Sequence, residues 1–338
     1  MHHLFLALSV VACLVTRAAP IPFRGQQRRD SPALAGFNAD PNIIVFGNTY
    51  YIYPTADGQD WEGKSFYAWK SQNLVDWTRS EDPILTLNGK SGPGNVPWAY
   101  GKAWAPTIIE RDGKYYFYHS GHSSAEDSIA IGAAVADSPE GPFAAQPTAM
   151  IRNTERLTAA AAIDPAAFHD PATGRYLLYW GNGRALRAEL GDDMVSVDWD
   201  TLGESSGFDD YFEAPFAVHR RGLYHMTWSI DDTRSEDYRV GYATAPNATG
   251  PWTSHGIVLR KDPALGILGT GHQSIVNVPG TDDWYIVYHR FAIPGGDGSH
   301  RVTAIDRPTF DPDTGLIQPV QPTLGSVEPQ PIQYYRLC

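Results

Sequence analysis

The fold is decided by the stretch Gly47-Asn48-Thr49-Tyr50-Tyr51-Ile52-Tyr53, a polar turn followed by an aromatic-rich segment with the character of a β-strand. The same turn and strand recur at residues 112–118, 173–179, 221–227 and 282–288. Counted from tyrosine to tyrosine, the successive spacings are 65, 61, 48 and 61 residues. This period matches one small antiparallel sheet with its loops, and radial repetition of such sheets is typical of β-propellers. We therefore predict an all-β fold, a single-domain five-bladed β-propeller.

A second repeated segment lies shortly upstream of each aromatic strand, at residues 39–42, 104–107, 163–166, 213–216 and 272–275. The 32 glycines and 26 prolines suit many tight turns. No long stretch shows the apolar period of 3.6 residues that a helical domain requires. A β-sandwich or a β-helix is the competing fold, and the fixed repeat period favours the propeller over both.

The first residues have the layout of a secretory leader, with an apolar run from Leu4 to Val15 that is too short to span a bilayer. We predict a signal peptide over residues 1–19, a short propeptide or linker over residues 20–34, and the propeller over residues 35–338. The pair Arg28-Arg29 is either a dibasic processing site or part of a solvated linker. The expected location is therefore extracellular.

Composition restricts the partners of the chain. Its formal net charge is -12, which argues against nucleic acid, because phosphate binding needs concentrated Lys and Arg. No segment after the leader is apolar for long enough to cross a membrane, and no association segment stands out, so a monomer is expected. Cys13 lies in the leader and Cys338 is the last residue, which predicts no internal disulfide in the secreted form. Asn247-Ala248-Thr249 is a glycosylation sequon.

Three acidic residues, Asp40, Asp164 and Glu213, open the first, third and fourth repeats. In a propeller the segment that opens each blade lines the central channel, so we expect the three carboxyls to converge there. An isolated Asp-Pro is usually a turn in which the aspartate caps backbone amides, and we interpret Asp170-Pro171 and Asp311-Pro312 in that way. The three acids differ because each is taken to occupy the same position within its repeat.

A cluster of carboxyls indicates a chemistry that needs them. Like charges in a partly buried site raise one another's proton affinity, so such an arrangement is costly for the fold. Cleavage of a glycosidic bond needs one protonated carboxyl to donate to the leaving oxygen and one carboxylate to activate water. The acids therefore favour a glycoside hydrolase. A carbohydrate-binding propeller without catalysis is the alternative, but it would not require the complete set.

The segments Asn38-Ala39-Asp40-Pro41-Asn42, Ile163-Asp164-Pro165 and Glu213-Ala214-Pro215 resemble those of glycoside hydrolase family 43. Members of that family are five-bladed propellers that cleave arabinofuranosides and xylosides with inversion. The resemblance extends from about Phe37 to Pro322. It implies that Asp40 is the general base, that Asp164 controls the proton affinity and orientation of the acid, and that Glu213 is the general acid.

Three further residues take roles from the resemblance. Trp104 would line the sugar pocket, although a core tryptophan is the alternative. His272 would face the channel, where it would bind substrate or contact a structural calcium ion through water; an ordinary structural histidine is the alternative. The reaction itself requires no cofactor. Arg290 would reach the substrate and the acid, with an ordinary surface ion pair as the alternative.

The expected activity is release of terminal α-L-arabinofuranose from plant polysaccharides or oligosaccharides of the arabinan or arabinoxylan type. The chain has no room for the β-sandwich that follows the propeller in some xylosidase relatives, which favours an arabinofuranosidase. The rim loops 58–64, 88–102 and 231–237 favour a closed pocket and exo action. β-Xylosidase, β-D-galactofuranosidase and endo-arabinanase activities are the alternatives. Inversion predicts base and acid carboxyls roughly 6.5 to 9.5 Å apart.

Overall fold

The structure is a computed structural model that describes residues 32–87, 96–158 and 162–333. The predicted signal peptide, the Arg28-Arg29 pair and Cys338 lie outside these ranges. The described residues form 22 β-strands and two short 3-10 helices, Arg156–Thr158 and Pro263–Leu265. Within these ranges, no helix combines the length and the apolar composition that crossing a membrane would take.

The strands form five antiparallel sheets, which follow one another along the chain as blades I to V. Blade I contains β1 (Asn38–Phe46), β2 (Thr49–Ala56), β3 (Ser65–Phe66), β4 (Trp69–Ser71), β5 (Trp77–Arg79) and β6 (Leu85–Thr86). Blade II contains β7 (Trp104–Arg111), β8 (Lys114–Ser123), β9 (Ser128–Ala136), β10 (Ala144–Ala145) and β11 (Ile151–Arg152). Blade III contains β12 (Ala166–His169), β13 (Tyr176–Trp180), β14 (Leu186–Leu190) and β15 (Val197–Glu204). Blade IV contains β16 (Glu213–Arg220), β17 (Leu223–Ile230), β18 (Arg239–Ala245) and β19 (Thr253–Leu259). Blade V contains β20 (Gly271–Asn277), β21 (Trp284–Phe291) and β22 (Arg301–Asp306).

The aromatic strands of the sequence repeat are the second strands of the five blades, β2, β8, β13, β17 and β21. Each pairs with the first strand of its blade on one side and with a later strand on the other. A strand in the middle of a sheet between two other blades is covered on both faces, which suits aromatic and β-branched side chains. The prediction of an all-β, five-bladed propeller is confirmed.

The hydrophobic core is divided among the five gaps between neighbouring blades. Each gap holds one apolar cluster, to which both flanking blades contribute side chains. Between blades I and II, for example, the rings of Tyr53 and Phe117 meet edge to face with centroids 5.9 Å apart. This packing fixes each blade against the next, so the first strands are held around a common axis.

The ring is closed by the segment that precedes β1. The Ala33 N–H donates to the carbonyl oxygen of Thr303 in β22, at 2.8 Å. Leu34 is fully buried in the apolar cluster between blades V and I, where it joins Tyr50 and Val287. The start of the described chain therefore covers the outer strand of blade V and links the last blade to the first.

Candidate active site

Every blade opens on one residue in the left-handed backbone region, at the same place in the repeat: Asp40 (φ 48°), Ala105 (φ 42°), Asp164 (φ 57°), Ala214 (φ 57°) and His272 (φ 45°). In blades I, II, IV and V the strand register shifts across this residue, which marks a β-bulge. A residue other than glycine adopts this conformation at a cost, and such strain is concentrated at functional sites. The bulge re-aims the side chains of the first strand towards the axis.

Hydrogen bonds from the preceding blade hold the bulges in place. The N–H groups of four of the left-handed residues donate to side chains on second strands: Asp40 to His289 (3.2 Å), Ala105 to Thr55 (2.8 Å), Asp164 to Ser120 (3.1 Å) and His272 to Ser229 (2.9 Å). The fifth, Ala214, hydrogen-bonds through its backbone to the Asp164 carboxyl. The position of each opening segment is thus set by its neighbour as well as by its own sheet.

The bulges correct one expectation from the sequence. Asp40 and Asp164 do share a position, since both are left-handed residues. Glu213 does not share it, because it lies one residue earlier, at the position that Trp104 takes in blade II. Its side chain nevertheless reaches the same space from blade IV, so the convergence does not depend on a common register.

The three predicted acids and His272 meet at the axis. One ligand atom each of Asp164, Glu213 and His272 lies within 4.8 Å of the other two. His272 Nδ1 is 3.3 Å from Asp40 Oδ1. All three acids are buried, and next to them is an axial cavity of about 20 Å³ to which all five blades contribute residues. The structure therefore brings together four residues that are far apart in the sequence.

Asp40 is surrounded by nitrogen groups. Arg301 Nη1 and His289 Nδ1 each lie 3.0 Å from Asp40 Oδ1. Burial alone would raise the pKa of Asp40, but the charge of Arg301, with His272 and His289, holds that pKa well below its usual value. Asp40 is consequently a carboxylate at every pH at which the protein would work.

Glu213 and Asp164 have the opposite character. The Glu213 carboxyl accepts from Tyr238 Oη at 2.8 Å and from Asn182 Nδ2 at 3.0 Å. Burial raises the pKa of Glu213 to about 7, although the Tyr238 hydrogen bond acts to lower it. Burial, followed by the charges of Glu213 and Asp40, raises the pKa of Asp164 well above its usual value. Because the two carboxyls titrate together, the pair retains a proton near neutral pH.

Arg290 is not at this site, contrary to expectation. Side chains alternate along a strand, and Arg290 follows His289 in β21, so it points to the opposite face. There its Nη1 donates to the carbonyl oxygen of Phe291 at 3.0 Å. The arginine at the acids is Arg301 of β22, whose Nε and Nη2 also bind the Asp57 carboxylate at 2.9 and 3.1 Å. Because nothing in the sequence marks His289 as the residue that faces the acids, the alternation alone could not have excluded Arg290.

A cleft of about 440 Å³ is lined by residues 60–62, 102, 104 and 232–234. Thr233 on its wall accepts a hydrogen bond from Arg301, the partner of Asp40. Trp104 is therefore on the cleft wall, where its ring meets that of Trp61 edge to face at 6.0 Å. Lys102 covers one face of Trp104, and Arg301 lies 4.9 Å from the centre of the Trp61 ring. The predicted rim loops 58–64 and 231–237 contribute to the wall, and the third, 88–102, contributes Lys102. Of the third, residues 88–95 lie outside the described ranges.

Residues 29–315 match the family model described as glycosyl hydrolases family 43. The chain belongs to glycoside hydrolase family 43. This agrees with the resemblance of its opening segments, which contain the buried carboxyls at the axis.

Two curated relatives span most of this family 43 chain. The β-D-galactofuranosidase xynD of Aspergillus niger is 33% identical over 314 residues, which cover 88% of this chain and 86% of the relative. The xylosidase/arabinosidase 43A of Humicola insolens is 26% identical, over 83% of this chain and 96% of its own length. The names of these relatives therefore differ in the sugar.

Solved structures give the same family and fold. A thermostable family 43 glycoside hydrolase superposes with a TM-score of 0.73 at 26% identity, covering 88% of this chain and 96% of the other. A family 43 enzyme from Xanthomonas citri, complexed with xylose, gives a TM-score of 0.73 at 25% identity, over 89% and 96% of the two chains.

The expected calcium ion can be tested against the residues of the axial cavity. Asn42 Oδ1 and Gln273 Oε1 are buried, both residues line the cavity, and neither oxygen accepts a hydrogen bond from the described residues. Amide oxygens and water are ligands that calcium accepts, so the residues fit a cation held largely through water. Such an ion, when bound, would supply a fixed positive charge beside the acids.

Proposed function

We propose that this family 43 protein is an inverting exo-glycosidase that releases a terminal furanose, with α-L-arabinofuranose as its first substrate. The observation that carries the proposal is the contrast between two buried carboxyls at one axis. Asp40 is paired with Arg301 and charged, whereas Glu213 is bonded to neutral donors and holds its proton to about pH 7. Environments that separate the pKa values of two carboxyls in this way define a base and an acid.

The proposed reaction is a single displacement. Glu213 gives its proton to the glycosidic oxygen as the bond from that oxygen to the anomeric carbon breaks. A water molecule attacks the anomeric carbon from the opposite face and loses a proton to Asp40. The product sugar has inverted configuration, and Asp40 returns its proton to solvent while Glu213 is reprotonated. Asp164, which lies next to Glu213 and is hydrogen-bonded by the Ala214 backbone, shares the proton of the pair, because the pKa of both carboxyls is raised.

Exo action is supported by the shape of the entrance. All three predicted rim loops contribute to the cleft wall, which carries the indole rings of Trp61 and Trp104, and the Arg301 guanidinium lies beside Trp61. A walled recess of this kind admits the end of a chain more readily than its middle, and aromatic faces suit the apolar faces of sugar rings.

β-D-galactofuranose is the second candidate sugar, because the Aspergillus niger relative carries that activity in its name and matches most of the chain at 33% identity. The two sugars have the same ring configuration and differ in the exocyclic chain at the fourth ring carbon. A pocket that binds the arabinofuranose ring needs only extra space at that carbon to accept galactofuranose.

Hydrolysis of nitrophenyl glycosides tests the proposal. We expect release of nitrophenol from the α-L-arabinofuranoside or the β-D-galactofuranoside at a rate at least ten times that from the β-xyloside, with inverted sugar seen first by proton NMR. Preference for the xyloside, or a retained anomer, would overturn it. Oligosaccharides from linear arabinan would indicate endo action, and binding without hydrolysis would indicate a carbohydrate-binding propeller.

We also propose that the protein is secreted, on the basis of the apolar leader and the sequon. Asn247 and Thr249 are both exposed, on the connection between β18 and β19. In a secreting yeast we expect the protein in the medium to lose mass on treatment with an N-glycan-cleaving enzyme, and Asn247→Gln to abolish that loss. Retention of the full chain inside the cell would contradict secretion.

A further inference from the structure

The loop of residues 231–238, between β17 and β18, contacts both the proposed acid, Glu213, and the partners of the proposed base, Asp40. At its end, Tyr238 is fully buried and its hydroxyl donates to Glu213 Oε1 at 2.8 Å. The Tyr238 ring stacks on His289, with centroids 5.4 Å apart and planes 5° apart. His289 is the histidine that lies 3.0 Å from Asp40. The Tyr238 side chain therefore lies between Glu213, the proposed acid, and His289, which contacts the proposed base Asp40.

The fold makes room for this ring at a specific glycine. Gly271 is the first residue of β20, and a Cβ atom there would lie 2.3 Å from Cε1 and 2.4 Å from Cδ1 of Tyr238. Real Cβ atoms do not approach a ring so closely, so any larger residue would displace Tyr238. The absence of a side chain at position 271 thus leaves the space in which the Tyr238 ring lies.

Both oxygens of Glu213 are held. Tyr238 binds Oε1, and Asn182 Nδ2 binds Oε2 at 3.0 Å. A carboxyl held at both oxygens cannot rotate about its terminal bond without breaking a hydrogen bond in a buried site, which is costly. We propose that Tyr238 is a positioning residue for the general acid, holding the Glu213 carboxyl in the orientation from which it protonates the leaving oxygen. This inference rests on the proposed function.

The same loop offers a contrasting residue on the side of the base. Thr233 Oγ1 accepts from Arg301 Nη1 at 3.1 Å and lies 3.3 Å from His289 Nε2. Thr233 therefore supports the groups around Asp40 and makes no hydrogen bond to Glu213. Removing its hydroxyl should disturb activation of water rather than protonation of the leaving group.

Substrates with different leaving groups distinguish a defect in protonating the leaving oxygen, expected for Tyr238, from a defect in activating water, expected for Thr233. An acidic phenol departs without a proton, so loss of general-acid function matters little for it, whereas a weakly acidic phenol needs the full contribution. The test measures kcat/KM for phenyl, para-nitrophenyl and dinitrophenyl glycosides of the sugar that the wild type hydrolyses. For Tyr238→Phe we expect a loss of roughly 10- to 100-fold with phenyl and less than about 3-fold with dinitrophenyl. For Thr233→Val we expect kcat/KM to fall by the same factor with all three glycosides.

Tyr179→Phe is the matched control, because Tyr179 is also buried and donates to a backbone carbonyl, that of Ala248, at 2.6 Å, between blades III and IV. It should leave kcat/KM unchanged for all three glycosides. Tyr238→Phe keeps the ring, so its stack on His289 and its fit against Gly271 are retained, and near-UV circular dichroism verifies the fold.

The outcomes are distinct. Equal losses with all three leaving groups, or unchanged kinetics of Tyr238→Phe, would overturn the positioning role while the proposed function stands. A wild type that hydrolyses none of the glycosides would overturn the proposed function, and the positioning role with it.

Discussion

Asp40 and Glu213 differ in pKa because their neighbours differ, although both are buried carboxyls at the same axis. The guanidinium of Arg301 and two histidines surround Asp40, whereas a phenol and an amide bind Glu213. A carboxylate beside an arginine keeps its charge, and a buried carboxyl without a cation keeps its proton. The proposed assignment of base and acid therefore follows mostly from contacts made by residues outside the opening segments: Arg301, His289, Tyr238 and Asn182.

Asp40→Asn tests the proposed base. The amide keeps the size of the side chain but cannot accept a proton from water, so we expect kcat/KM to fall at least about 100-fold. Asp170→Asn is the control, since Asp170 is another buried aspartate followed by proline, and its carboxyl bonds to Tyr224 and Thr173 instead. If Asp40→Asn kept the same kcat/KM as Asp170→Asn, the assignment of Asp40 as the base would be wrong.

The proton on Glu213 predicts a pH dependence. Because its pKa is raised to about 7, the proton-bearing form is complete well below that pH and is lost above it. We expect kcat/KM to fall about tenfold per pH unit on the alkaline side of 7. The Asn182 hydrogen bond lowers the pKa of Glu213, so Asn182→Ala should move this alkaline limb to higher pH. An unmoved limb, or a limb moved to lower pH, would argue against Glu213 as the acid.

In two blades, a glycine in the third strand makes room for a tryptophan. A Cβ on Gly241 in β18 would lie 2.4 Å from the Trp228 ring, and one on Gly132 in β9 would lie 2.2 Å from Trp98. We expect Gly241→Ala to lower the free energy of unfolding by about 1–3 kcal/mol through overpacking. Gly325→Ala, with open space around it, should change the midpoint of thermal unfolding by less than one degree. Equal midpoints for the two variants would show that Trp228 moves aside freely.

The elements also show what the sequence could predict. The aromatic second strands are visible because the turn and strand of residues 47–53 recur in every blade, and the acids are visible because they open those blades. The left-handed bulge is not visible in a hydrophobic pattern, so the shift of Glu213 by one residue was missed. Arg301, Tyr238 and Thr233 were missed because they lie on a strand and a loop outside the motif, and only the closed ring places them at the acids.

The whole molecule depends on a closed ring. In an open stack of repeats each unit contacts only its neighbours, and the two ends are exposed. Here Asp40 belongs to blade I, whereas His289 and Arg301, which hold its charge, belong to blade V. The pairing at 3.0 Å joins residues 261 positions apart in the chain. The charge of Asp40, the proposed base, therefore depends on closure of the ring, as the fold does.

Leu34→Ala tests this dependence. Leu34 is fully buried between blades V and I, and its truncation should lower the free energy of unfolding by about 2–5 kcal/mol. Leu265→Ala is the control, since Leu265 is 43% exposed and should cost less than about 0.5 kcal/mol. If closure holds the base, Leu34→Ala should also lose activity at temperatures below the main unfolding transition, because the contact between blades V and I opens before the remaining gaps. Loss of activity that coincides with global unfolding, measured by circular dichroism, would show instead that the five blades open together and that this segment has no separate role.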